Sequence, residues 1–110
     1  MKENEMQITV KHMERNEITG DVTGFTSVAL VDVTDFSNHG IEEQLEYAYR
    51  YTNNVMGSWS KKIGADANDD VEVLEEREDG LGLRSTMMGD RMEIDGVEYR
   101  VAIVGFEEVA

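Results

Sequence analysis

Residues 91–106 run Arg91-Met92-Glu93-Ile94, then Asp95-Gly96, then Val97-Glu98-Tyr99-Arg100-Val101 and on to Phe106. An Asp-Gly pair between two alternating segments marks a type I′ hairpin, because both central residues of that turn need positive φ. Met92 and Ile94 then share a side with the row Val97, Tyr99, Val101 and Ile103. Upstream, Met6 to Met13 also alternates, with Met6, Ile8 and Val10 on one face and Gln7, Thr9 and Lys11 on the other, as in a half-buried strand. Ser27 to Val33 is β-branched and apolar on both faces, which predicts a central strand. Val71 to Leu74 predicts a short one.

One segment has a different period. Ile41, Leu45, Ala48 and Tyr49 recur at helical spacing and predict a stripe facing a sheet. Ser37 or Asn38 is the expected N-cap, with Glu42 and Glu43 near the positive end of the dipole. The helix is expected to fray at Thr52-Asn53-Asn54. The order β-β-α-β-β-β predicts an α+β fold: a curved antiparallel sheet or small barrel with one packed helix. With no proline, no repeat and no linker-like stretch, residues 1–110 read as a single domain.

Composition limits the function classes. No apolar run approaches the roughly 20 residues that span a bilayer. The start, Met1-Lys2-Glu3-Asn4-Glu5, has no secretory stretch, which predicts a cytoplasmic protein. There is no cysteine, so disulfides, thiolate metal sites and thiol nucleophiles are excluded. The net charge of −14, from 24 acids against 10 bases, repels nucleic acid and anionic membranes. Such acidity serves solubility, a high-salt interior or a basic partner.

Catalytic constellations are missing from the linear pattern. Gly57-Ser58-Trp59-Ser60 lacks the second glycine of a nucleophile elbow. His12 sits on a strand and His39 beside a helix start, the places of surface or capping residues. Asp66-Ala67-Asn68-Asp69-Asp70-Val71-Glu72 has alternate oxygen ligands, but Val71 stands where an EF-hand needs glycine and Arg77 where it needs glutamate. No glycine-rich phosphate cradle follows a strand. The expectation is a non-enzyme without metal or cofactor.

Charge is unevenly placed. Residues 66–79 hold eight acids (Asp66, Asp69, Asp70, Glu72, Glu75, Glu76, Glu78, Asp79) and one base, Arg77. Clustered carboxylates steer association with a basic groove, so these eight are the expected partner-binding set. Residues 47–65 hold no acid but combine Tyr47, Arg50, Tyr51, Trp59, Lys61 and Lys62, residue types that anchor interfaces. They form the alternative binding set.

The run from Leu45 to Val55, Gly57-Ser58-Trp59-Ser60, Leu83-Arg84-Ser85-Thr86, Gly89-Asp90, Tyr99-Arg100-Val101 and Val104-Gly105-Phe106 resembles small phage and mobile-element proteins. Their C-terminal signature is R-S-x-x-x-G-D, then Y-x-V, then G-F, and the ending is similar to YodL-type domains of integrative elements. Met87 and Met88 depart from the Ser-Val expected before Gly89-Asp90. The resemblance implies a mobile-element origin and action inside a host cell, without an activity to carry over. The expected function is a phage-encoded, acidic, protein-binding inhibitor of host nucleic-acid machinery, of anti-CRISPR or anti-restriction type. As a partial nucleic-acid mimic it would bind a basic host protein or complex, with no direct nucleic-acid or membrane contact. The alternative is an accessory or structural phage protein, located in the virion, that packs with itself or a virion partner; a homo-oligomer is left open.

Overall fold

Asp95 and Gly96 both adopt positive φ, 52° and 79°, and join two strands in the register expected of the Asp-Gly turn. Around this hairpin the computed structural model describes residues 6–109, so the reading of Met1 to Glu5 lies outside them. The elements are β1 (Gln7–Arg15), β2 (Val22–Asp32), a 3-10 turn (Thr34–Phe36), α1 (Ile41–Arg50), a second 3-10 turn (Gly64–Asp66), β3 (Val71–Val73), β4 (Arg91–Ile94), β5 (Val97–Val101) and β6 (Phe106–Glu108). The strands form one antiparallel sheet in the order β3-β2-β1-β4-β5-β6, and α1 packs on one face. The fold is α+β. Its two edges do not pair with each other, so the sheet is open and not a barrel.

The alternation of β1 appears as predicted: Ile8 and Val10 are fully buried while Gln7 is exposed. They meet Ala29 and Val31 of β2, Val71 of β3, Met92 and Ile94 of β4, Val101 of β5, and Leu45 and Ala48 of α1. Each such aliphatic side chain contributes about 1.5–3 kcal/mol when fully buried. Register shifts at Val10/Lys11 and Glu14/Arg15 bend β1 and β2.

Three local expectations are corrected. Helix α1 is capped by Gly40, with no side-chain cap bond, and not by Ser37 or Asn38. The Thr34–Phe36 turn keeps those two residues in a following turn, where Ser37 N–H bonds Thr34 O and His39 N–H bonds Phe36 O. The buried stripe is Gln44, Leu45 and Ala48, while Ile41 is exposed. Gln44 Nε2 donates to Phe36 O and His39 O (3.1 Å each), fixing the helix entry.

The last strand does not run through to Phe106. Ala102 N–H bonds Gly105 O (3.0 Å), Gly105 takes a φ of 70°, and β6 folds back on β5. Ile103, expected on the strand row, and its neighbour Val104 are the turn tip, each 87% exposed. Sequence alternation cannot distinguish one long strand from two short ones when the turn residues are themselves β-branched.

Candidate functional site

The segment Arg84-Ser85-Thr86-Met87-Met88-Gly89-Asp90 closes on itself. Asp90 is fully buried and accepts bonds from Arg84 Nη1 (2.7 Å) and Nη2 (2.9 Å), Met13 N–H (2.9 Å) and Met87 N–H (2.8 Å). Gly89 turns the chain at a φ of 96°, and a Cβ there would lie 2.9 Å from Met13 Sδ. Thr86 Oγ1 meets His12 Nε2 at 2.9 Å and Thr52 Oγ1 at 2.8 Å, and Thr52 Oγ1 donates to Ala48 O at 2.8 Å.

A second loop is laced into the same place. Asn54 N–H donates to Ser85 Oγ (2.8 Å), its Nδ2 to Leu83 O (3.0 Å), and its Oδ1 accepts Trp59 N–H (2.9 Å). Trp59 Nε1 donates to Arg84 O (2.9 Å), and Leu83 N–H donates to Ser60 Oγ (2.7 Å). A Cβ on Gly57 would collide with the Ile63 carbonyl, so that glycine is required by close backbone approach. The stretches 52–54, 59–60 and 83–86 therefore bind one another. They are a structural clasp that holds the long α1–β4 connection onto the sheet.

His12, expected at the surface, is inside this clasp and stacks edge-on to Trp59. Burial pushes its imidazole from 6.5 down to about 4; Asp90 opposes this and Arg84 assists it. Between those values the unfolded chain binds the proton and the folded chain does not, so stability rises with pH across this window. From pH 6.5 down to pH 4, His12 is expected to remove roughly 3 kcal/mol of stability, and His12→Gln to flatten that limb of a urea-denaturation series. An unchanged slope in the variant would show that another group carries it.

The structure redistributes the two predicted binding sets. Asp66 leaves the acidic one: it is fully buried, accepting Val55 N–H and Met56 N–H (2.8 Å each) and Arg50 Nη1 (3.1 Å). Burial alone would raise its carboxyl, but those donors hold it below its ordinary value. A carboxylate so engaged organises its own loop and is not a partner contact. Asp70 is half-buried and accepts the Tyr47 hydroxyl at 2.6 Å; burial and that bond push Tyr47 up to about 12. Asp79 pairs with Arg77. Asp69, Glu72, Glu75, Glu76 and Glu78 are exposed, and among the described residues none of them has an ion-pair partner.

Most of the aromatic-basic set is engaged within the chain, though only Trp59 is buried. Trp59 is fully buried and cannot anchor a partner; its ring fills the centre of the clasp. Tyr47 and Tyr51 lie against each other with ring centroids 5.0 Å apart, and Arg50 covers the Tyr51 ring while bonding Asp66. Lys62 Nζ donates to Asn68 O (3.0 Å) and Val71 O (2.6 Å). Lys61 stays exposed.

What linear reading missed is Glu14. Held by Thr26 Oγ1 at 2.5 Å, it lines a groove of about 290 Å³ together with Glu75 and Glu76 over Val28 and Leu83. Glu75 and Glu76 also line the neighbouring groove of about 440 Å³, with Val73, Leu74 and Leu81. Glu14 lies some sixty residues away in sequence and is isolated there, so no charge run pointed to it.

On the open face of the sheet Lys11 pairs with Glu93 and Glu98, Arg91 with Glu98 and Arg100 with Glu107. Glu98 is held below its ordinary value and Lys11 above its own by these contacts. That face is internally neutralised. Among the described residues no cluster of histidine and carboxylates has metal-binding geometry, and no helix is long and apolar enough to cross a membrane. Comparison of the chain with protein-family models, curated proteins and solved structures found no match.

Proposed function

We propose that the protein binds a basic surface of a nucleic-acid-handling host protein and inhibits it, acting as a partial nucleic-acid mimic of anti-CRISPR or anti-restriction type. The contact surface in this reading is the β3 edge and the loop after it: Asp69, Glu72, Glu75, Glu76 and Glu78, joined by Glu14. One observation carries it. Carboxylates from two distant segments, Glu14 and the pair Glu75-Glu76, converge on one groove, while the cations of the open sheet face are taken by other partners. Arg77 and Arg84 also line this groove but are engaged by Asp79 and Asp90, so Glu14, Glu75 and Glu76 make an acidic rim over an apolar floor of Val28 and Leu83, which fits a basic surface with an apolar residue between its arginines.

Asp66 and Asp70 are excluded from the test because removing them would unsettle the fold. Glu14→Lys, Glu75→Lys and Glu76→Lys together are expected to weaken partner capture by about 100-fold or more, with circular dichroism unchanged. The readout is affinity purification from infected cells with mass spectrometry, followed by competition with duplex DNA. Retained capture by the triple variant would refute the reading, and so would capture that DNA fails to compete.

A further inference from the structure

The two sheet edges are finished differently. At β3, the outward carbonyl of Val71 is plugged by Lys62 Nζ and its N–H bonds Asn68 O. At β6, no described residue plugs an outward backbone group in this way. Ala102 N–H bonds Gly105 O and Val109 N–H bonds Glu98 O, so Gly105, Glu107 and Val109 turn their backbone groups toward β5. By the alternation of an antiparallel ladder, Phe106 and Glu108 turn theirs outward, and β6 has no neighbour beyond it. Beside this edge lies a groove of about 360 Å³ lined by Glu46, Tyr49, Ile103 and Phe106. Its charged rim is acidic: Glu46 lines it, and the Glu42 carboxylate sits 3.6 Å from where a Gly105 Cβ would be. Glu108 is exposed on the same face of the strand as Phe106, while Glu107, on the other face, is paired with Arg100.

We propose that the open β6 edge receives an extended segment of a partner protein that carries an apolar side chain with a lysine or arginine two residues to either side. The added strand takes its hydrogen bonds from Phe106 and Glu108. Its apolar side chain enters the groove between Ile103, Tyr49 and Phe106, and its basic residues, two positions away on the same face, lie toward Glu46 and Glu108. A second copy of this chain is the poorer occupant, because pairing β6 with itself would bring Glu107 and Glu108 of both copies together in a protein of net charge −14. This surface is separate from the Glu14–Glu75–Glu76 groove and does not depend on it.

The test uses a fluorescein-labelled peptide of about ten residues in which threonine alternates with residues that are in turn valine and lysine, so that valine and lysine share one face, long enough for an edge strand, read by fluorescence anisotropy near physiological salt. A second peptide carries the same side chains with every amide N-methylated. Saturable binding is expected, weakened about tenfold or more by N-methylation and likewise by Ile103→Asp with Val104→Asp, positions whose exposure leaves folding intact. Glu75→Lys with Glu76→Lys is expected to change it little, which separates this surface from the acidic groove. Three results would overturn the proposal: no binding, equal binding of the N-methylated peptide, or a dimer in sedimentation that Ile103→Asp with Val104→Asp abolishes.

Discussion

Replacing Asp90 by alanine is expected to lower the unfolding free energy by about 3–5 kcal/mol, the range for breaking a buried ion pair from one side. The side chain is fully buried and accepts four bonds. Burial alone would raise its carboxyl, yet Arg84 and the Met13 and Met87 N–H groups keep it ionised below its ordinary value of 3.8. Its loss leaves two backbone donors without an acceptor and the Arg84 guanidinium without its carboxylate, with only the Ser85 and Met13 carbonyls left to it. A domain of this size has about 5–15 kcal/mol in total, so the variant would be marginal at room temperature. Asp90→Asn keeps one acceptor oxygen and should fall between wild type and alanine in urea denaturation followed by circular dichroism. If alanine costs less than about 1 kcal/mol, the clasp is not what holds the α1–β4 connection.

The second large effect is expected at Trp59, again about 3–5 kcal/mol for Trp59→Ala. Trp59 heads the fully buried side chains by volume and packs where the loop, His12 and the sheet meet. Its indole N–H also bonds Arg84 O at 2.9 Å, so Trp59→Phe should retain most of the packing and lose about 1–2 kcal/mol with that bond. Because the chain has one tryptophan, both variants must be followed by circular dichroism and not by fluorescence. Equal stability of the alanine and phenylalanine variants would show that packing contributes nothing there. Were Trp59 an interface anchor instead, the alanine variant would keep its stability and lose only binding.

These two residues mark the boundary of what linear reading reached. Linear reading assigns Trp59 to a binding set, whereas the fold buries it, and Asp90 with it. The misassignment has a physical cause. Residue type alone makes tryptophan equally suited to an interface and to a core, and only the arrival of Arg84, His12 and Thr86 from elsewhere buries it. The same holds for Asp66. It stands in a charge run, yet the backbone N–H groups of Val55 and Met56 select it, and not its neighbour Asp69, as an internal acceptor.

Short-range physics was legible from one dimension. The Asp95-Gly96 turn, the alternation of β1, the helix from the Ile41 region onward and the antiparallel α+β character follow from steric preference and periodicity within a few residues. The strand order, the fold-back of β6, the burial of His12, Asp66 and Asp90, and the meeting of Glu14 with Glu75 and Glu76 required the three-dimensional arrangement. Each depends on which remote segment removes water from a side chain or supplies its hydrogen bond. That information resides in the packing of the chain against itself, not in any local stretch of it.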